Sequence, residues 1–199
     1  MNAVTFVTGG NRSGKSRYAL SLALGRARRA FVATAEAIDD EMRRRIERHR
    51  ADRGGSFRTV EAPLDLAGAL ASLPPGTEIA VVDCLTVWLA NVLHARGARP
   101  DEDYPEVAAF LRAIERPPCD LAIVSNEVGL GVIAADARTR FYVDLAGRVN
   151  QEVARRADRV VFVVSGIPVV IKSGRMEGAA LNPEPRTLNP EPRTLNPEP

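Results

Sequence analysis

The chain has 199 residues, of which 45% are hydrophobic and 26% are charged, and its formal net charge at neutral pH is +2. This length suits one domain with a substantial core, and so weak a net charge gives no global attraction to nucleic acid or to an anionic membrane. Apolar runs fall short of the roughly 20 residues of a membrane span, and the stretch at 3–7 is too short for a signal peptide. Two isolated cysteines, Cys84 and Cys119, do not suggest a disulfide framework or a metal cluster. We therefore expect a cytoplasmic globular protein.

Taken in chain order, the predicted elements alternate between strands and helices. Short runs rich in β-branched residues predict strands at 3–8, 30–33, 58–61, 78–83, 120–126, 159–165 and 169–172. Apolar residues at helical spacing predict helices at 16–28, 39–53, 65–72, from 85 through 94, at 104–114 and at 137–157. This alternation predicts an α/β fold with a mostly parallel sheet and helices on both faces. The last two strands, joined through 166–168, are expected to close the sheet as an antiparallel hairpin.

The C-terminal segment is a proline-rich repeat. A seven-residue unit that begins at Leu181 recurs at Leu188 and again, truncated, at Leu195. Each unit carries two prolines, which remove backbone donors and clash with a helical turn, so the repeat does not predict a helix. We predict a catalytic domain at 1–172 and a disordered tail at 173–199. A tandem expansion explains the tail better than a proline-rich ligand for a partner, and we assign nothing catalytic to it.

The segment after the first strand matches a phosphate-binding loop. Gly9, Gly14, Lys15 and Ser16 fit the pattern G-x-x-x-x-G-K-S, with a predicted strand before it and a helix after it. The glycines let backbone N–H groups turn toward phosphate oxygens, Lys15 should reach the β- and γ-phosphates, and the Ser16 hydroxyl should ligate Mg²⁺. The residues expected to contact the nucleotide here are Gly9, Gly10, Asn11, Arg12, Ser13, Gly14, Lys15 and Ser16.

Two carboxylates follow predicted strands. Asp83 ends the apolar run at 79–82, where a P-loop enzyme needs an acid to order magnesium or its water. The alternative is that Asp83 caps the helix that begins at Leu85. Glu127 follows the strand at 120–126 and is flanked by glycines, at the sheet edge where α/β proteins bind ligands. We expect a substrate or acid role for Glu127, with a loop cap as the alternative.

His49 lies on a predicted helix that is rich in arginine. Met42, Ile46, His49 and Arg53 recur at helical spacing and should share one face. Nearby positive charge favours neutral imidazole, the nucleophilic form, and arginines suit a chain of phosphates. His49 could therefore attack the α-phosphate of a nucleotide, although spacing alone favours a partly buried structural histidine. His94 has no such surroundings and is given no role.

These motifs together resemble those of the bifunctional adenosylcobinamide kinase/adenosylcobinamide-phosphate guanylyltransferases of cobalamin biosynthesis. The resemblance spans about residues 3 to 172, in the same order as in the family. The matching blocks are the loop at 9–16, Ala33-Thr34-Ala35, Asp39 to Met42 with Arg45, Ile46 and His49, Ser125 to Gly131, Asp144 to Gln151 and Val164 to Ile167.

The resemblance implies two reactions and a P-loop fold similar to the RecA-like recombinase core, assembled as a homotrimer. A nucleoside triphosphate, ATP or GTP, would phosphorylate adenosylcobinamide with Mg²⁺ as cofactor. GTP would then donate GMP to that phosphate through a GMP–histidine intermediate on His49, with release of pyrophosphate. Besides the loop with Lys15, the implied nucleotide contacts are Ala33, Thr34, Ala35, Arg50, Ala51, Asp52, Arg53, Glu61 and Asp83.

Two other functions fit parts of the sequence. A monofunctional small-molecule kinase would use the P-loop without His49. A nucleotide-regulated RNA-binding module would use the arginine-rich helix, but the weak net charge and the lack of aromatic residues near that helix argue against it. The sequence does not locate the corrinoid pocket or the oligomer interface, nor does it choose between ATP and GTP for the kinase step.

Overall fold

The computed structural model describes residues 2–37, 40–97, 104–131 and 133–174. Within the helix at 40–53, the side chains at 41, 42, 45, 48, 49, 52 and 53 lie outside this description. The strands are β1 Val4–Gly9, β2 Arg29–Ala33, β3 Arg58–Glu61, β4 Ile79–Asp83, β5 Asp120–Asn126, β6 Arg159–Val164 and β7 Ile167–Ser173. The helices are α1 Lys15–Ser21, α2 Asp40–Arg53, α3 Leu66–Ala71, α4 Leu85–Arg96, α5 Pro105–Ala113 and α6 Ala137–Arg156.

All seven strands form one sheet in the order β3-β2-β4-β5-β1-β6-β7. The first six strands are parallel to one another, and β7 runs antiparallel to β6. Continuous apolar runs such as Val81-Val82, both fully buried, are typical of parallel strands that are covered on both faces. The predicted α/β class, the mostly parallel sheet and the closing antiparallel strand are confirmed.

Two hydrophobic clusters lie on opposite faces of the sheet. Phe6 belongs to one cluster and Val7 to the other, because successive side chains of a strand point to opposite faces. The larger cluster packs beneath α3 to α6 and contains Trp88, whose ring lies 5.3 Å from that of Phe110, centroid to centroid. The indole N–H of Trp88 donates to the Leu64 carbonyl at 2.7 Å, so its one polar group is satisfied inside the core.

The first helix is shorter than predicted. We expected it to span 16–28, but α1 ends at Ser21. Beyond that point the N–H groups of Ala23 and Leu24 bond to carbonyls three residues earlier, so the chain tightens into 3₁₀-type turns before Gly25. Glycine is among the weakest helix formers, and the apolar spacing that suggested a longer helix does not include this cost.

The last two strands form the predicted hairpin, with a tighter turn. The turn residues are Ser165 and Gly166, with φ of 50° and 82°, which is the left-handed backbone that a type I′ turn requires. β7 therefore begins at Ile167 and includes Pro168, which an edge strand tolerates because it has one side without ladder partners. β7 ends at Ser173, one residue beyond the predicted domain boundary. The rest of the predicted tail, 175–199, lies outside the described residues.

Among the described residues, no helix combines the length and the apolar character needed to cross a membrane.

Candidate active site

The carboxyl edge of the sheet brings together the ends of β1, β4 and β5. Gly9 at the end of β1 is paired with Asn126 on β5, and Asp83 at the end of β4 is paired with Val124 on the other side of β5. Because these strands are parallel, the loops that follow them leave from one edge. The topology thus places the P-loop, Asp83 and the segment at 126–127 around one site.

The P-loop has the backbone that its glycines predict. Gly14 has a φ of 97°, in the left-handed region, and a side chain at Gly9 would meet the Val163 carbonyl oxygen at 2.4 Å. Either glycine could be replaced only with strain or displacement of neighbouring backbone. The Ser13 carbonyl accepts a hydrogen bond from the N–H of Gly166 at 2.8 Å, so the β6–β7 turn supports the loop from behind. The loop is held from both ends and from this turn.

Lys15 is a buried lysine in the middle of the site. Its side chain is only 7% exposed, and Nζ donates to the Gly10 carbonyl at 3.1 Å within the loop. A buried ammonium is costly unless it is paired or takes a charged ligand. Lys15 and Ser16 both line a cavity of about 450 Å³ at this edge. Lys15, expected to bind phosphate, and Ser16, expected to bind magnesium, therefore face the same cavity.

Asp83 lines the same cavity as Lys15 and Ser16. The alternative role for Asp83, as N-cap of the following helix, is wrong, because the N-cap residue of α4 is Cys84, whose side chain makes no capping hydrogen bond. Burial raises the pKa of the Cys84 thiol, and the negative charge of Asp83 raises it further. A neutral thiol adds no second negative charge beside the carboxylate.

Of the segment at 33–35, Ala33 and Ala35 line the cavity, whereas Thr34 does not. Thr34 is fully buried, and its hydroxyl bonds the carbonyls of Asp83 and Cys84 and accepts from the Cys84 N–H at 2.8 Å. Its own carbonyl accepts from the Asn91 amide at 2.8 Å. The Thr34 side chain thus ties β2 to the end of β4 and does not point into the cavity.

Helix α2 contributes four side chains to the lining of the same cavity as the P-loop. Arg43, Ile46, Glu47 and Arg50, at helical spacing along one face, line the cavity, and Arg50 pairs at 2.8 Å with Glu61, which also lines it. Ala51 is exposed and is not part of the lining. The backbone of α2 places His49 three residues after Ile46 and one before Arg50. The side chains of His49, Asp52, Arg53 and Met42 lie outside the described part of the chain.

Glu127 lies beside the loop and is held by two buried side chains. The Thr8 hydroxyl donates to its Oε1 at 2.6 Å, and the Asn150 amide donates to the same oxygen at 3.2 Å. The contacts of its carboxylate among the described residues come from side chains on β1 and α6, and the loop-cap alternative stays open. Sequence reasoning missed Thr8 and Asn150. The signal for Asn150 was a polar residue between Val149 and Val153 on the apolar face of α6.

Asn126, which precedes Glu127 and lines the cavity, was also missed as a site residue. Its amide donates to the Thr86 hydroxyl at 3.0 Å, and that hydroxyl also contacts the Cys84 sulfur at 3.2 Å. This links the end of β5 to the start of α4. No local pattern indicates this contact, because it spans 40 residues of the chain.

The site combines a P-loop that precedes a helix, a buried lysine in that loop, and an acid at the end of β4, which β5 separates from the P-loop strand β1. These features define a P-loop nucleotide-dependent phosphotransferase. The comparisons with known proteins make this more specific. Residues 5–171 match the family model described as cobinamide kinase / cobinamide phosphate guanyltransferase. The chain therefore belongs to this family, and it is a bifunctional kinase and guanylyltransferase of adenosylcobalamin biosynthesis.

Curated relatives agree with this assignment. The chain is 43% identical over 167 residues to the bifunctional adenosylcobalamin biosynthesis protein CobP of Pseudomonas aeruginosa, covering 83% of this chain and 95% of that protein. It is 39% identical over 177 residues to the bifunctional adenosylcobalamin biosynthesis protein CobU of Escherichia coli, covering 83% and 98%. The monofunctional kinase and the RNA-binding module are not supported by a family that carries two transfer activities.

Among solved structures, the RadB recombinase is similar with a TM-score of 0.47 and 15% identity, over 80% of this chain and 73% of that one. The α/β architecture of this chain follows from its own strand order and P-loop.

Proposed function

We propose that the chain phosphorylates adenosylcobinamide with a nucleoside triphosphate and then transfers GMP from GTP to the product, through a GMP–histidine intermediate on His49. The observation that carries this proposal is that one cavity is lined by residues of both kinds. Lys15, Ser16 and Asp83 line it, and so does Arg50 on the helix that carries His49. Phosphates held by the loop would thus lie close to the helix that bears the nucleophile.

In the kinase step, Lys15 would balance the charge of the β- and γ-phosphates while the acceptor hydroxyl attacks the γ-phosphorus. The catalytic work of such a site is positioning and charge stabilisation, because the transition state is loose and spreads negative charge over oxygens. A lysine held at 3.1 Å from the Gly10 carbonyl can exchange this neutral partner for a charged phosphate with little movement. ATP and GTP are the donors that we propose.

Ser16 and Asp83 fit a magnesium ion. A hydroxyl and a carboxylate are oxygen ligands of the type that Mg²⁺ prefers, and both line the cavity. In the described part of the chain, no three His, Cys, Asp or Glu side chains cluster as a metal site, and Mg²⁺ in such enzymes takes much of its coordination from phosphates and water. When bound, Mg²⁺ would neutralise charge on the phosphates. Activity that persists unchanged in excess EDTA would exclude this role.

In the guanylyl step, an imidazole nitrogen of His49 would attack the α-phosphorus of GTP. A P–N bond forms as the bond to the β-phosphate oxygen breaks, and pyrophosphate leaves with that electron pair. A phosphate oxygen of the acceptor then attacks the same phosphorus, and the P–N bond breaks to restore the histidine. The arginines that line the cavity, Arg43 and Arg50, would bind the phosphates during both displacements.

The test of His49 is labelling with α-labelled GTP. Wild-type protein with Mg²⁺ should acquire acid-labile label, and H49A should acquire none while it retains phosphorylation of cobinamide. His94 is exposed on α4 and provides the matched control, so H94A should label as wild type does. An unlabelled wild type, or an H49A variant that labels equally, would contradict the covalent mechanism.

We also propose a homotrimer in the cytoplasm, where nucleoside triphosphates are available. The family resemblance supports the assembly, and the use of ATP and GTP supports the location. Light scattering on the purified full chain tests the first, and a mass other than three times 21.5 kDa would contradict it.

A further inference from the structure

A polar cluster beside the P-loop is not explained by nucleotide binding. Glu127, Thr8 and Asn150 form it, and none of them is among the residues that line the cavity, although Asn126 is. Thr8 is 4% exposed and Asn150 is 6% exposed, so two buried polar side chains donate to one carboxylate, and the Asn150 amide also donates to the Asn126 carbonyl at 3.1 Å. Buried polar groups are costly unless they are bonded, and the Glu127 carboxylate is the partner that Thr8 and Asn150 share.

The cluster bonds only one of the two carboxylate oxygens of Glu127. Oε1 accepts from Thr8 and Asn150, and the Glu127 backbone N–H donates to the Gly9 carbonyl at 3.1 Å. Within the described residues, Oε2 accepts no hydrogen bond, and the side chain is only half-buried. A carboxylate that merely supported the loop would gain from having both oxygens bonded. This arrangement instead fixes the side chain and keeps one oxygen available.

The position of Glu127 suits contact with an acceptor. β5 lies between the P-loop strand β1 and the Asp83 strand β4, so Glu127 leaves the edge beside the phosphate cradle. The loop that follows exposes apolar side chains, with Leu130 73% exposed and Ile133 84% exposed. Exposed apolar side chains in one loop suit a large, partly apolar ligand such as a corrinoid.

We propose that Glu127 is the catalytic base of the kinase step. This role rests on the kinase activity of the family. Glu127 Oε2 takes the proton of the acceptor hydroxyl as the hydroxyl oxygen bonds to the γ-phosphorus. The bond from that phosphorus to the β-phosphate oxygen breaks, and the nucleoside diphosphate leaves with the electron pair. The proton on Glu127 then passes to solvent. Thr8 and Asn150 are positioning residues, because they act by orienting the carboxylate.

This role separates the two reactions of the enzyme. An alcohol must lose a proton when it is phosphorylated, whereas the second acceptor is a phosphate monoester whose oxygens are largely ionised at neutral pH. Guanylyl transfer to that phosphate therefore needs no base. The proposal thus predicts that loss of the Glu127 carboxylate impairs the kinase step and leaves guanylyl transfer intact.

The experiment compares E127Q with wild type in the two steps, assayed apart on the full chain. Phosphorylation of cobinamide by ATP should lose about a hundredfold in kcat, within the range for a lost general base, with little change in the KM for nucleotide. Guanylylation of the enzyme by α-labelled GTP, and GMP transfer to supplied cobinamide phosphate, should stay within about threefold, a ΔΔG‡ of under about 1 kcal/mol. E115Q, on an exposed glutamate between α5 and β5, is the matched control and should change neither step.

Two results would overturn the proposal. One is an E127Q kinase rate within about threefold of wild type, and the other is an equal loss in both steps, which would indicate a structural role. A wild type that does not phosphorylate cobinamide would instead refute the kinase activity itself.

A second pair of variants tests the positioning residue and guards against an E127Q that does not fold. T8V keeps the shape of the side chain and removes the hydroxyl, and its kinase kcat should fall roughly tenfold, as for one hydrogen bond to a charged group. T8S restores the hydroxyl and should return the rate close to wild type, with guanylylation unchanged throughout. Equal kinase rates in T8V and T8S would contradict the role of this contact.

Discussion

At the scale of residues, the two cysteines lie at opposite edges of the sheet. Cys84 follows the carboxyl end of β4, beside the cavity, and Cys119 precedes the amino end of β5. Both are unpaired and buried. Burial raises the pKa of the Cys119 thiol to about 11, and the adjacent charge of Asp120 adds to the effect. Since the thiolate is the reactive form, both thiols should be inert near neutral pH.

The reactivity of Cys119 provides a test. At pH 8 a thiol with a pKa of about 11 is about 0.1% ionised, against about a quarter for an ordinary cysteine, so native alkylation should be some 200-fold slower than in denaturant. The rate should rise about tenfold per pH unit up to that pKa, because the raised pKa delays ionisation. Iodoacetamide labelling followed by peptide mass analysis measures both rates. Similar rates in the native and denatured chain would contradict the shift.

At the scale of elements, α2 and α3 show how differently two helices of this chain are stabilised. α2 is strongly charged, and Arg43, Ile46, Glu47 and Arg50 of its described side chains line the cavity. α3 is short and begins at a defined cap, where the Asp65 carboxylate accepts from the Gly68 N–H at 2.8 Å. Leu66 and Leu70 of α3 are almost fully buried in the larger cluster. A cap matters most in so short a helix, since propensity alone cannot sustain six residues.

Removal of this cap should destabilise the fold without touching the site. D65A leaves the Gly68 N–H without its partner and should lower the free energy of unfolding by about 1 kcal/mol. D65N keeps a capping oxygen and should lose much less. Urea unfolding followed by circular dichroism gives both values. A D65A variant as stable as wild type would show that the cap contributes little here.

At the scale of the whole molecule, the described sheet closes before the proline-rich repeat begins. β7 ends at Ser173, and its pairing with β6 closes the sheet within the described residues. The repeat begins at Leu181 and thus follows the last strand by several residues.

Deletion of 175–199 should therefore leave the enzyme intact. We expect the unfolding temperature to stay within about 2 °C of the full chain, which for a domain of this size is under about 1 kcal/mol. Cobinamide phosphorylation and guanylylation should be unchanged. Differential scanning calorimetry and the two assays check this, and a truncated chain that loses either activity would assign the tail a role.

The sequence by itself determined the features that depend on residues close together in the chain. The P-loop, the acid at Asp83 and the alternation of strands and helices follow from patterns within about ten residues, and each was predicted close to its observed place. The end of α1 was missed because the helical spacing continued past Ser21 while the backbone tightened before Gly25. The blocks of residues that resemble the family also identified the chemistry.

Only the tertiary structure decided which side chains meet. The strand order places β5 between β1 and β4, and this brings Glu127 to Thr8 and Asn150, residues that lie 119 and 23 positions away in the chain. It also turns the Thr34 hydroxyl toward the end of β4 and away from the cavity. Local pattern cannot encode such contacts, because they depend on how parallel strands are ordered by crossovers that bury both faces of the sheet.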